Sequence, residues 1–269
     1  MIPKNISDSL SSIWQNKFVA FSGNDTSSFI LRKIYISDKF LGEGEVESAI
    51  GTLLEAQQLA EQIKIKNISD RLTEANIAYK LSTLQLQKTD VDNAFRNALK
   101  SVQQYDLLQN ENVKADYAAA NYLLAQVYSL AGANKEADTL YRKTIQLYES
   151  LVNDYPDMYE PIIAKVYKDY AVVQQYFDKN VEYENNIRNI IKIYSKLSQK
   201  NFPYYQFELG KNYHALGIKK MNVDVKIFLA QDEWANAQKV LDNLYKRLPM
   251  LAGDELCAVL YKLGGAKIA

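Results

Sequence analysis

Few residues in this 269-residue sequence could carry covalent or acid–base chemistry, and they lie far apart. His214 is the single histidine and Cys257 the single cysteine. A Ser-His-Asp or Cys-His arrangement would have to run through His214, and no serine or cysteine stands near it in a nucleophile motif. A structural zinc site takes about four Cys or His ligands, more than the chain owns. The stretch LGEGE (41–45) is too short for a phosphate loop and lacks the following Lys and Ser/Thr. Carboxylates are plentiful, but none pair off for acid–base work. The expectation is therefore a protein with no catalytic residues, no metal and no cofactor, hence not an enzyme.

The bulk composition narrows the class further. Basic and acidic residues balance at 32 each, so the basic excess that displaces phosphate counterions is missing and no nucleic-acid partner is expected. No segment approaches the roughly 18 uninterrupted apolar residues of a membrane span. The N-terminal stretch lacks the apolar core of a signal peptide, and a lone cysteine suits a reducing compartment. The expected setting is cytoplasmic. With only 10 glycines and 5 prolines in the chain, a turn-rich β architecture is disfavoured.

Apolar residues recur instead at helical spacing, and the helices repeat in pairs. The second helix of each pair centres on Ala49, Ala94, Ala137, Tyr183 and Ala237, separated by 45, 43, 46 and 54 residues. Twelve residues before the first four stand Ser37, Ser82, Ala125 and Ala171, all small, and Gly210 takes that place in the fifth. A large residue precedes each: Ile36, Leu81, Leu124, Tyr170 and Leu209. Three residues after each small one come Phe40, Gln85, Tyr128, Gln174 and Tyr213, and Gly44, Thr89, Gly132, Asp178 and Gly217 are placed at the turns. Small residues let two backbones approach, and the large ones fill the space beside them. Most of the 20 tyrosines, such as Tyr128, Tyr141, Tyr148, Tyr194 and Tyr213, fall on packing positions.

The order large, small, Tyr, Gly, then Ala and an aromatic resembles the tetratricopeptide repeat (TPR). Leu124, Ala125, Tyr128, Gly132, Ala137 and Tyr141 carry the resemblance, as do Leu209, Gly210, Tyr213, Gly217, Ala237 and Pro249. The Pro-Asp-x-Tyr run at 156–159 resembles the elongated bacterial variant, which is similar to the repeats of kinesin light chains. The repeats exceed the usual 34 or so residues, and Gln85 and Gln174 replace the signature tyrosine in the second and fourth. Bulky Tyr183 predicts that the fourth pair sits further apart.

The expected architecture is all-α: a right-handed α-α superhelix of about five helix pairs with flanking terminal helices. Residues 1–26 are expected to hold a short N-terminal capping helix, striped by Ile6, Leu10, Ile13, Trp14 and Phe18, and a linker. The repeats span 27–66, 67–110, 111–156, 157–201 and 202–250, followed by a C-terminal helix over 251–269. Residues 218–233 are an insertion, either an extension of both helices or a small extra element. The spacing from Ile227 to Leu244 favours one long second helix starting near Asp224.

The resemblance also implies a site. Groove positions of the family fall on Asp38, then on Tyr79, Thr83 and Gln87, then on Tyr122, Gln126 and Ser129. They continue at Lys165, Lys168 and Gln175, and at Tyr204, Phe207, Lys211 and His214. Such a lining can stack on and hydrogen-bond an extended peptide, and Lys165, Lys168 and Lys211 can hold a carboxylate. The carboxylate clamp of chaperone-binding members is not expected, because Tyr79 and Tyr122 stand where lysine is wanted and Gln126 where asparagine is. The partner implied is another protein or a peptide, bound by a scaffold or by a regulatory sensor. Self-association through the apolar C-terminal helix is a further expectation.

Overall fold

The computed structural model describes residues 25–108, 113–177, 179–200, 202–224 and 227–266. The stripe from Ile6 to Phe18 lies outside these residues, as does Asp178. Among the described residues every regular element is a helix. They are α1 (Thr26–Gly42), α2 (Val46–Glu61), α3 (Ile68–Gln87), α4 (Val91–Asp106), α5 (Lys114–Leu130), α6 (Asn134–Asp154), α7 (Pro156–Gln175), α8 (Asn180–Ser198), α9 (Pro203–Asp224), α10 (Ile227–Tyr245) and α11 (Pro249–Ala266). The chain divides after Ala133 into two compact units. In each, helices pack mainly on their neighbours in sequence, the contact order of a repeat array.

Local chemistry starts and stops these helices. Asp25 accepts the amide hydrogen of Ser28 at 2.7 Å to cap α1. Asn67 and Asp70 form a reciprocal capping box at the start of α3. Pro156 opens α7, where its missing N–H costs nothing. Gly44, Thr89 and Gly132 turn the chain with φ of 83°, 60° and 75°. Thr89 thus takes a left-handed conformation that normally falls to glycine.

The packing code holds in unit 1. Ser37, Ala49, Ser82, Ala94 and Ala125 are fully buried. The Ser82 hydroxyl donates to the Ala94 carbonyl at 2.8 Å, so the two small positions of the second repeat touch directly. Ile30, Ile34, Leu53, Ile77 and Leu81 form the core around them. Tyr128 of α5 meets Phe95 of α4 edge to face at 5.1 Å. Ile36 is the exception, 40% exposed.

In unit 2 the core gathers Trp234, Ala237, Leu241, Leu244, Leu256 and Val259. Tyr141 of α6 stacks on Tyr170 of α7 at 5.5 Å. The α7–α8 pair around Tyr183 is packed less extensively than α9–α10. The insertion extends both helices: α9 runs on to Asp224, and α10 begins at Ile227, three residues past the expected start near Asp224. Gly217 accordingly lies inside α9 and not at a turn. The indole of Trp234 lies against it, and a Cβ there would come within 2.3 Å of Nε1. A buried ion pair, Lys220 Nζ to Glu233 Oε1 at 2.7 Å, ties the added turns of the two helices together.

Candidate functional site

The predicted groove residues fall in both units, and each unit presents its own set. In unit 1, Tyr79 and Thr83 lie one helical turn apart on α3, both partly buried, with the Thr83 hydroxyl donating to the Tyr79 carbonyl at 2.9 Å. Burial pushes the Tyr79 phenol up, and the charge of Asp116 adds to this. It stays a neutral donor. Tyr122 on α5 is buried, while Gln126 and Ser129 are partly exposed on the same helix. Asp38 on α1 pairs with Lys80 of α3, and Gln87 is exposed at the end of α3.

In unit 2 the lysines are engaged more tightly than their spacing suggested. Lys168 of α7 reaches Glu208 of α9 at 2.8 Å, and Lys211 approaches the same carboxylate at 3.7 Å. Glu208 is only 5% exposed, so its charge needs these cations. Both side chains stay partly in solvent, and the Lys211 charge also acts on the Glu255 carboxylate of α11. Lys211 also lies over the Phe207 ring at 5.3 Å. Lys165 is exposed on α7, and Gln175 is exposed at its end.

Tyr204 stands four residues before Glu208 on α9 and is 58% exposed. It belongs to an aromatic ledge. Its ring meets Tyr205 at 5.6 Å and Tyr194 of α8 at 6.5 Å, while Phe202 meets Tyr205 at 5.9 Å. Burial pushes the Tyr194 phenol up, helped by the nearby Tyr204 and Glu208. His214 is buried, with Nδ1 2.6 Å from Glu255 Oε1 of α11. It packs the C-terminal helix instead of lining a groove.

Sequence reasoning passed over one recurrent device. The Gln85 and Asn97 amides pair at 2.9 Å across α3 and α4, and Gln174 and Asn186 pair at 2.8 Å across α7 and α8. The replaced tyrosines of the second and fourth repeats are therefore buried hydrogen-bonded pairs, not eroded positions. The shared twelve-residue spacing of Gln and Asn was the available signal. Among the described residues no group of His, Cys, Asp and Glu could hold a metal ion, and no helix is long and apolar enough to cross a membrane.

No family model matches the chain, and no curated protein matches it in sequence. Solved structures do. A Podosopora anserina kinesin light chain structure of nearly identical TPR-like repeats superposes with a TM-score of 0.58 at 13% identity, covering 83% of this chain and 96% of that one. The fold is that of the TPR-like helical repeats. The apo form of RapI shares this TPR-like fold, with a TM-score of 0.62 at 10% identity over 87% of this chain and 81% of that one. A Rap protein complexed with Competence and Sporulation Factor gives 0.50 at 11% identity over 91% and 77%. At these identities the likeness concerns the TPR-like fold alone.

Proposed function

We propose that this chain is a non-enzymatic interaction scaffold that takes a peptide or protein segment on the face of its first helices. The observation that carries this reading is the α7–α9 face. Exposed Tyr204 offers a rigid aromatic surface one turn from a carboxylate held by two lysines that each keep part of the side chain in solvent. That combination suits a segment with an aromatic or apolar anchor beside an acidic group. Tyr79, Thr83, Gln126 and Ser129 are the corresponding positions of unit 1. A cytoplasmic setting belongs to the same reading, in keeping with a single, exposed and unpaired cysteine, Cys257.

The test is selection of binders from a random peptide library on the purified chain, followed by affinity measurement on Tyr204→Ala/Lys168→Glu. The expected result is at least about tenfold weaker binding with unchanged helical circular dichroism. Peptides that bind the variant as well as the parent would overturn the reading.

The likeness to RapI, and to a Rap protein solved with Competence and Sporulation Factor, favours a second reading: a sensor that binds a short peptide and signals to a partner protein. Small-angle scattering with a selected peptide decides between them. Compaction at saturation supports the sensor, and an unchanged profile leaves the scaffold. Self-association through α11, which exposes Met250 and Tyr261, is read from the concentration dependence of sedimentation.

A further inference from the structure

An open depression of about 370 Å³ lies in unit 1 between the second helices α2 and α4, and none of the first-helix groove residues lines it. Its floor is the Gln85–Asn97 amide pair, with both residues more than nine-tenths buried. Gln57 of α2 extends that pair to a third amide, its Nε2 donating to Asn97 Oδ1 at 2.9 Å. In the fourth repeat the same buried pair, Gln174–Asn186, manages without this extension. The register that holds Gln57, eight residues past Ala49, holds Ile145 eight residues past Ala137. Packing therefore accounts for the pair but not for Gln57.

The charges around the depression leave one cation over. Lys100 sits between Glu61 at 2.6 Å and Glu74 at 3.2 Å, and Lys66 meets Glu74 at 2.6 Å. These two lysines and two glutamates balance. Arg96, exposed on α4 at the lip, makes no ion pair or ring contact among the described residues. Asn93 beside it spends its amide nitrogen on Asp90 at 2.8 Å, which leaves its oxygen as an acceptor. The depression thus offers a planar cation, amide donors and amide acceptors within one opening. That set matches a carboxylate adjoining a peptide amide: the guanidinium takes two oxygens in parallel, and side-chain amides satisfy the N–H and C=O next to it.

We infer that this second-helix depression binds one carboxylate-bearing residue of a peptide, with Arg96 on the carboxylate and Gln57 and Asn93 on the adjoining main chain. The carboxylate is an acidic side chain or a free chain end, and the probes separate the two. The full chain, isotopically labelled, is titrated with three blocked tripeptides: acetyl-Ala-Glu-Ala-amide, acetyl-Ala-Ala-Ala with a free carboxylate, and acetyl-Ala-Gln-Ala-amide. The expected result is saturable shifts of the Gln57 and Asn93 side-chain amide resonances with one or both acids. The neutral peptide should produce none. Arg96→Gln should weaken this binding at least about tenfold, and Gln57→Ala should weaken it as well. Lys168→Glu, which alters the first-helix face of unit 2, should leave it unchanged, so this site and the proposed groove fail independently. Arg96 is exposed, so its variant should keep the parent circular dichroism. No saturation with either acid, equal response to the neutral peptide, or full binding by Arg96→Gln would each overturn the inference.

Discussion

His214 of α9 and Glu255 of α11 lie 2.6 Å apart, a polar contact spanning 41 residues of sequence. The hydrogen bond with His214 holds the Glu255 carboxyl below the ordinary range, against the opposing effect of burial, and the charges of His214 and Lys211 add to it. A carboxyl lowered in the folded state stabilises the fold above its unfolded pKa, about 4.3, and loses that contribution as pH falls through the folded value. Glu255→Gln should therefore cost roughly 1–2 kcal/mol at neutral pH and flatten the loss of stability below about pH 4.3. Urea melts of parent and variant between acid and neutral pH measure this, and parallel curves would contradict it.

Gly217 and Thr89 make opposite predictions. At Gly217 an added methyl meets the indole of Trp234, a rigid ring with no room to swing aside. Gly217→Ala should destabilise by about 1–3 kcal/mol. Thr89 already carries a side chain in a left-handed turn where Gly44 and Gly132 stand in the neighbouring repeats. Thr89→Gly should stabilise by about 0.5–1 kcal/mol, the relieved strain exceeding the entropy that glycine adds to the unfolded chain. Thermal unfolding of the two variants should move in opposite directions.

The contrast between these two residues shows what the sequence could reveal. Thr89 was legible as a turn because its place seven residues after Ser82, as Gly132 follows Ala125, depends only on local spacing. Gly217 was misread as a turn because nothing local tells a turn glycine from one required by a bulky neighbour across the pair; Trp234 decides it. Ser82 and Ala94 were legible for the same reason as Thr89, since small residues at a fixed interval are a local property. His214 was placed on the right helix, but its burial against Glu255 depends on α11, which the repeat spacing does not position. The depression above Gln85 and Asn97 requires residues from α2, α3 and α4 together, and a repeat signature treats those positions as substitutions.

Gln174 is 1% exposed, and its only described side-chain partner across the helix pair is Asn186. Removing one amide leaves the other buried without a partner. Gln174→Leu should cost about 1–3 kcal/mol. The double variant Gln174→Leu/Asn186→Leu should recover most of it, because no polar group is then left unsatisfied. A double-mutant cycle read by chemical denaturation measures the coupling. Additive losses would show that the pair is not one hydrogen-bonded unit.

Glu208 predicts a different kind of non-additivity. Its carboxylate is buried, while Lys168 and Lys211 each keep more than a third of their side chains in solvent. Either lysine alone can compensate the buried charge, so Lys168→Met and Lys211→Met should each cost less than about 1 kcal/mol. Removing both strands the carboxylate between α7 and α9, and the double variant should lose about 3–5 kcal/mol, well beyond the sum of the two. Glu208→Gln placed on that double variant should restore much of the loss, because a neutral amide needs no counter-charge. Equilibrium unfolding of the four variants tests the scheme. If the double variant were no less stable than the two singles predict, the lysines would not be sharing a buried charge.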